Sequence, residues 1–247
     1  MMSTLGLCFA LALGAGQVGH QGQTTAEREL IRLGAIIHTN PSTREVIEVR
    51  LNERPLKNDD LRWLIPLRAI TDLSLESTPI GDAGLSHLSR LTRLEWLNLY
   101  QTRISDRGLK YLLPLHKLEQ IHLGRTRITD QGLKTIGRMT QLSLLGLRGT
   151  RITDAGLKSL SSLTSLRTLN LSETAVSSSG LEFLSSFPAL ETLWLNDTSI
   201  DDSALDILER MRSLREIHVG GTRVTQVGIE RFKKDRARIR ISVDDNR

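Results

Sequence analysis

The residue types that most often carry chemistry are present in this chain but scattered. Of its six histidines, His20 and His38 lie near the start, and His87 and His116 fall in helical or loop stretches. His122 and His218 occupy equivalent places in a repeat described below. Four repeats separate them, about 19 Å at the spacing of neighbouring strands, which is too far for both to hold one metal ion. Cys8 is the single cysteine, so neither an intrachain disulfide nor a multi-cysteine metal site can form. HExxH, GxSxG, phosphate-loop and dinucleotide fingerprints do not occur. These residues predict no catalytic site, no metal and no cofactor. Function therefore has to be sought in the elements that present side chains to a partner.

Those elements repeat. Leu94, Leu118, Leu142, Leu166, Leu190 and Leu214 stand 24 residues apart, and the same ruler reaches back to Ile70 and Val46 without insertion or deletion. Eight units follow, filling residues 46–237. Within the unit beginning at Leu142, Leu145 and Leu147 alternate with Gly146, as in a strand with one face buried. Leu157, Leu160 and Leu163 then recur every three residues, as on one face of a helix or a tight 3₁₀ turn. Thr153 and Asp154 stand before that stretch, where an oxygen can accept from the unpaired N–H groups of a helix start. A glycine recurs at Gly84, Gly108, Gly132, Gly156, Gly180 and Gly228, with Ala204 the one exception. A side chain there is expected to hold the helical segment away from the strand layer.

No unit can bury its leucines alone, so the units must stack into one continuous core. Strands joined by helical crossovers are parallel, and the crossover is right-handed. Strands pack about 4.8 Å apart while helices need more room, so the stack curves with its sheet on the concave side. The fold class read from the sequence is α/β, a right-handed horseshoe solenoid with a parallel sheet on the concave face.

The motif L-x-x-L-x-L-x-x-T-x-I-T/S-D-x-G-L-x-x-L-x-x-L resembles leucine-rich repeats. More narrowly, it is similar to the repeats of bacterial exported proteins and to those of F-box substrate receptors. The F-box relatives usually carry cysteine where this chain has Thr102, Thr126, Thr150, Thr174, Thr198 and Thr222, and no F-box segment precedes the repeats. The bacterial resemblance implies a binding module without chemistry of its own. A structural or accessory role in the cell envelope, and a substrate-adaptor role, are its alternatives.

The ends read as caps. Thr24 with Glu27 makes a capping box opening a short helix that Gly34 can close. Residues 35–38 and 45–51 read as two strands around Asn40-Pro41-Ser42, so that residues 24–45 form an N-terminal cap. Residues 238–247 supply a final strand and tail, with Arg238 and Arg240 discouraging strand addition at the edge. The apolar run at residues 5–15, followed by Gly14, Ala15 and Gly16, resembles the hydrophobic region of a secretory signal, although no Lys or Arg precedes it. Residues 1–23 are therefore read as signal-like, implying export, with an unstructured cytoplasmic N-terminus as the alternative. The run is too short to span a bilayer.

Charge qualifies the choice of partner. The net charge is +5, but residues 228–247 hold seven bases against four acids, so most of the excess belongs to the C-terminal cap. Arginines follow the threonines at Arg103, Arg127, Arg151 and Arg223. They are expected to pair with Asp106, Asp130 and Asp154 of their own units on a solvated rim, the alternative being a ladder that grips an acidic partner.

With the fourth and sixth positions of each unit in the core, the third, fifth and seventh point off the concave face. The third column includes Trp96 and Leu144. The fifth includes Asn98, His122, Asn170, Trp194 and His218, and the seventh Tyr100 and Arg148. Aromatic rings beside Gly124 and Gly146 are candidate anchors for a protein partner, and these nine residues are the candidate binding site. The columns, with the eighth position added, carry seven acids and three bases, the wrong sign for a nucleic-acid cradle.

Overall fold

The computed structural model describes residues 23–243. The signal-like run and Cys8 lie outside them. At the N-terminus the Thr24 hydroxyl accepts from the Glu27 N–H, while the Glu27 carboxylate accepts from the Thr24 N–H. This capping box opens helix α1 (Thr25–Arg32), whose Ala26 and Leu30 close the end of the core. Gly34 takes φ +87° and turns the chain into β1 (Ile36–Thr39), which pairs antiparallel with β2 (Val46–Arg50).

From β2 onward the sheet is parallel and follows sequence order. Its strands are β3 (Asp72–Ser74), β4 (Trp96–Asn98), β5 (Gln120–His122), β6 (Leu144–Gly146), β7 (Thr168–Asn170), β8 (Thr192–Trp194), β9 (Glu216–His218) and β10 (Arg240–Ser242). Each pair is in 24-residue register, Leu97 beside Ile121 beside Leu145 beside Leu169. The register sets like positions side by side, so the buried leucines of successive units form continuous rows. The outer layer alternates short α-helices with 3₁₀ turns such as Asn58–Leu64, Leu109–Leu112 and Ser178–Leu184. The helices are α2 (Asp82–Leu85), α3 (Asp130–Ile136), α4 (Asp154–Leu157), α5 (Asp202–Glu209) and α6 (Gln226–Asp235).

Two local devices recur where each strand ends. The ninth-position threonine donates its hydroxyl to the carbonyl three residues earlier, as in Thr126 to Leu123 and Thr150 to Leu147, both at 2.6 Å. This satisfies a carbonyl at the strand exit within the unit. The eighth position takes positive φ in all eight units, including Gln101, Arg125, Glu173 and Asp197 as well as Gly149 and Gly221. The left-handed turn costs a non-glycine residue about 1–2 kcal/mol. It keeps the N–H in the ladder nonetheless: Arg125 donates to the Arg148 carbonyl at 2.6 Å, and Glu173 to that of Asn196 at 2.8 Å.

The aspartate column does something other than cap its own helix, and this corrects the sequence-based expectation. Each carboxylate reaches into the next unit. Asp130 accepts from the Thr153 N–H at 2.8 Å and from the Thr153 hydroxyl at 2.6 Å. Asp82 holds Ser105 in the same way, Asp106 holds Thr129, Asp154 holds Ser177 and Asp202 holds Thr225. The clamped threonines in turn cap their own helices: Thr129 accepts from Gln131, Thr153 from Ala155 and Thr225 from Gly228.

The clamp also explains the glycine column. A Cβ on Gly132, Gly156, Gly180 or Gly228 would lie 2.3, 2.3, 2.1 or 2.4 Å from the Oδ1 of the preceding unit's aspartate. The obstacle is that carboxylate, more than the strand layer. The single exception obeys the same rule. Where Ala204 replaces glycine, Ser178 replaces the aspartate before it, and the bond reverses, with the Ser178 hydroxyl donating to Asp201 at 2.8 Å. With both aspartate oxygens engaged across the unit boundary, Arg103, Arg127 and Arg151 do not pair with Asp106, Asp130 and Asp154 as expected. Their backbones instead form a second short parallel ladder, bridging to Gly81, Ser105 and Thr129.

At the C-terminus the Arg236 guanidinium donates to the carbonyls of Leu208, Glu209, Met211 and Leu214. Arg231 pairs with Asp206, and Arg240 with Glu216. Three of the bases at this end are therefore tied into the fold.

Candidate functional site on the concave sheet

Because like positions align across the sheet, the nine candidate residues share one face, and the structure gathers them into two groups. The first spans β4 to β6. Trp96 and His122, on adjacent strands, meet edge to face with ring centroids 5.8 Å apart and planes inclined at 62°. Such pairs are worth about 0.5–1.5 kcal/mol beyond their buried area. Burial lowers the His122 pKa below the ordinary imidazole value, because the charged ring is the form that burial penalises. The two glycines have a steric role here. A Cβ on Gly124 would lie 2.7 Å from the Tyr100 ring, and one on Gly146 would lie 3.1 Å from His122 Nδ1. The space beside these glycines is thus filled by Tyr100 and His122 themselves. Leu144, partly buried, continues the row beside Gln120 and Thr168.

Below Tyr100 the face opens into a depression of about 590 Å³ lined by Tyr100, Arg125, Arg148, Glu173 and Asp197. Arg148 reaches Glu173 Oε1 through Nε at 2.8 Å and Nη2 at 2.5 Å, and Arg125 approaches the same carboxylate at 3.2 Å. The Arg125 guanidinium also sits 6.0 Å from the Tyr100 ring centroid, within cation–π range. Burial disfavours charge on Glu173, but the hydrogen bonds and charges of Arg148 and Arg125 together outweigh it and hold its pKa below the usual carboxylate value.

The second group spans β7 to β9. Trp194 stacks on His218 with centroids 3.5 Å apart and planes 3° from parallel. This closes over the imidazole, which is only 5% exposed. Neither His218 ring nitrogen makes a hydrogen bond, and Glu216 lies 3.4 Å from Nε2. Burial lowers the His218 pKa, against the opposing pull of Glu216.

Two residues expected to contact a partner lie on the concave face but are covered by their neighbours. Asn98, 9% exposed, donates to Glu76 and accepts from the Tyr100 N–H. His218 lies beneath Trp194. Asn170 is partly exposed, but its carbonyl oxygen accepts from the Ser172 N–H. Short carboxamides on these strands satisfy the backbone first, for the reason that favours them in turns. Trp96, Tyr100, Arg148 and Trp194 keep part of their surface open.

Comparison with known proteins bears on the architecture. A family model described as leucine-rich repeat matches residues 115–137 and 162–185. Among solved structures, the chain resembles an internalin (inlF) from Listeria monocytogenes at 20% identity and a TM-score of 0.58, covering 80% of this chain and 59% of that one. It also resembles internalin C2 from the same organism at 23% identity and a TM-score of 0.59, covering 74% of each chain. No curated protein matches it in sequence. The fold is a leucine-rich-repeat solenoid.

In this solenoid the depression is built largely from eighth-position residues, which the sequence analysis counted in the charge of the concave face but did not name as contacts. Arg125, Glu173 and Asp197 stand at the eighth position, where the left-handed turn carries the side chain onto the rim of the concave face. The signal available in sequence was Gly149 and Gly221 in that same column, since glycine marks positions of positive φ. Among the described residues, no group of three or more His, Cys, Asp or Glu could hold a metal ion, and no helix is long and apolar enough to cross a membrane. The face offers rigid rings, a fork-shaped cation pair and open sheet.

Proposed function

We propose that this solenoid is a non-enzymatic protein-interaction module that binds its partner on the concave sheet, with Trp96, Tyr100 and Arg148 as principal contacts. One observation carries the reading. Partly exposed rings are locked in place on adjoining strands, Trp96 by His122 and Tyr100 by Gly124 and Arg125. Rigid aromatic anchors lose little conformational entropy on binding and dominate interface energetics. Leucine-rich-repeat architecture favours the same use, because its concave sheet is an extended surface free of packing duties. The signal-like residues 5–15 favour export, and the internalin neighbours are bacterial. A reporter fused after Gln23 and followed by cell fractionation tests that part: periplasmic or extracellular reporter supports export, and wholly cytoplasmic reporter refutes it.

The binding site is tested by proximity labelling and pull-down in the native cell, comparing the wild type with a Trp96→Ala, Tyr100→Ala double variant. Partner recovery should fall by more than about 30-fold, given roughly 2 kcal/mol or more for a buried aromatic anchor. Equal recovery with both rings removed would remove this face from consideration.

A further inference from the structure

The outer side of the solenoid carries a second surface, unrelated to the concave site. In the three units from Leu94 to Ser165 the tenth position is Arg103, Arg127 and Arg151, and the seventeenth is Lys110, Lys134 and Lys158. All six are exposed. The second backbone ladder bridges each arginine to the twelfth-position residue of the unit before it, Arg103 to Gly81, Arg127 to Ser105 and Arg151 to Thr129, so the three recur once per unit along the stack. Only positions 11–16 separate the two columns, and there Arg107 adds a further exposed base. The acids between them, Asp106, Asp130 and Asp154, have both oxygens bound across unit boundaries. Among the described residues none of the six bases makes a salt bridge or a side-chain hydrogen bond, and Lys110 has only the Tyr111 ring beside it at 5.0 Å.

The pattern stops at the next unit. The tenth position becomes Ala175 and Ser199, and the seventeenth becomes Glu182 and Asp206. Those two acids are paired, Glu182 with Arg210 and Asp206 with Arg231. Like charges gathered on one face repel, and the three aspartates between the columns offset only part of the seven bases, Arg107 included; among the described residues the excess has no partner, so an external anion is the missing counterpart. Protein interfaces are depleted of charge at their centres and enriched in apolar side chains, whereas none of the exposed large hydrophobic residues lies in these three units. Single-stranded nucleic acid needs aromatic platforms beside the charges, and this array has only the partly buried Tyr111. What remains is a surface whose anions can rearrange to meet a fixed two-dimensional array. Mobile phospholipid headgroups do so, and clusters of four to eight bases suffice.

We propose that this face docks the solenoid on an anionic phospholipid surface and leaves the concave sheet open to its partner. The test is co-sedimentation of the full chain with vesicles of phosphatidylcholine alone or mixed with phosphatidylglycerol, read as the ratio of binding to the two. The wild type should prefer the anionic vesicles, and the preference should fall with added salt. Arg103→Gln, Arg127→Gln, Arg151→Gln together should cut the ratio on the order of 100-fold, while the three corresponding Arg→Lys changes retain it. A control set at the C-terminal end, Lys233→Gln, Lys234→Gln, Arg238→Gln, should leave it unchanged. Equal binding to both vesicles, an unaltered ratio in the glutamine variant, an equal loss in the control, or tighter binding to duplex DNA or polyglutamate than to anionic vesicles each overturns the proposal.

Discussion

The clamp between units makes a quantitative prediction at Gly156. In the Gly156→Ala variant the new Cβ would stand 2.3 Å from Asp130 Oδ1, so the carboxylate must leave its place. It thereby gives up its bonds to the Thr153 N–H and hydroxyl, at 2.8 and 2.6 Å. Bonds to a charged acceptor are worth about 1.5–3 kcal/mol each. Both lie at a solvated edge, so the lower value applies, and the pair amounts to roughly 3 kcal/mol. Alanine recovers about 0.5–1 kcal/mol through its better helix propensity, leaving a net loss of about 2 kcal/mol. The chain itself supplies the rescue. Asp130→Ser, Thr153→Asp, Gly156→Ala reproduces the Ser178, Asp201, Ala204 arrangement, and should return stability to within about 1 kcal/mol of wild type. Urea unfolding followed by circular dichroism measures both variants, and amide exchange at Thr153 reports the lost bond directly. Wild-type stability in Gly156→Ala, or a triple variant no better than the single, refutes the account.

Other consequences are testable with the same preparations. His122 and His218 both titrate below the ordinary imidazole value when folded, so the unfolded chain binds more protons as pH falls from about 6.5. Their contribution is complete above that pH and is lost as pH drops toward the folded values; His122→Phe with His218→Phe should flatten this part of the stability–pH curve, and an unchanged slope contradicts it. Glu173, held ionised by Arg148 and Arg125, contributes in the same direction at lower pH, with its share lost as pH falls from its unfolded value through its folded one; Glu173→Gln should remove that acid limb and leave the imidazole limb intact. Arg236→Met removes the donor to four carbonyls and should cost about 2 kcal/mol, first visible as proteolysis within α6; full protection of that helix contradicts the capping role.

Most of the architecture was legible because it is written eight times. The 24-residue ruler, the alternation at Leu145 and Leu147, the threonine hydroxyl at the strand exit and the Thr24–Glu27 capping box all rest on contacts within one unit, or between identical positions of neighbouring units. Contacts between different positions were harder. The Asp130–Thr153 clamp joins the thirteenth position of one unit to the twelfth of the next, and a sequence read one unit at a time assigns the aspartate to its own helix. The linked change at Ser178, Asp201 and Ala204 was the visible clue. The concave site was legible in direction but not in depth. Column arithmetic sends Asn98 and His218 outward, yet a carboxamide near an unpaired backbone N–H turns to it, and an imidazole beneath an indole is covered. Arg125, Glu173 and Asp197 entered the sequence reading only as charges of the concave face, since left-handed backbone at the eighth position gathers them where regular strand geometry does not.

The two ring clusters also constrain how a partner engages the face. Trp96 and Trp194 stand four units apart, about 19 Å along the sheet, with Arg148 and the depression between them. A single inserted loop can cover one cluster, whereas covering both requires a folded surface or an extended segment lying along the sheet. At that separation the two tryptophans share no contact, so their effects on binding should add within about 0.5 kcal/mol if one partner spans them. Trp96→Ala and Trp194→Ala, alone and together, decide the matter by titration calorimetry with the recovered partner. Two losses that sum in the double variant place the partner along the whole face. Loss at Trp96 alone confines it to β4 through β6 and leaves the Trp194–His218 stack as part of the fold. Loss at neither residue would mean that the rings are packing, and the concave reading would fail with them.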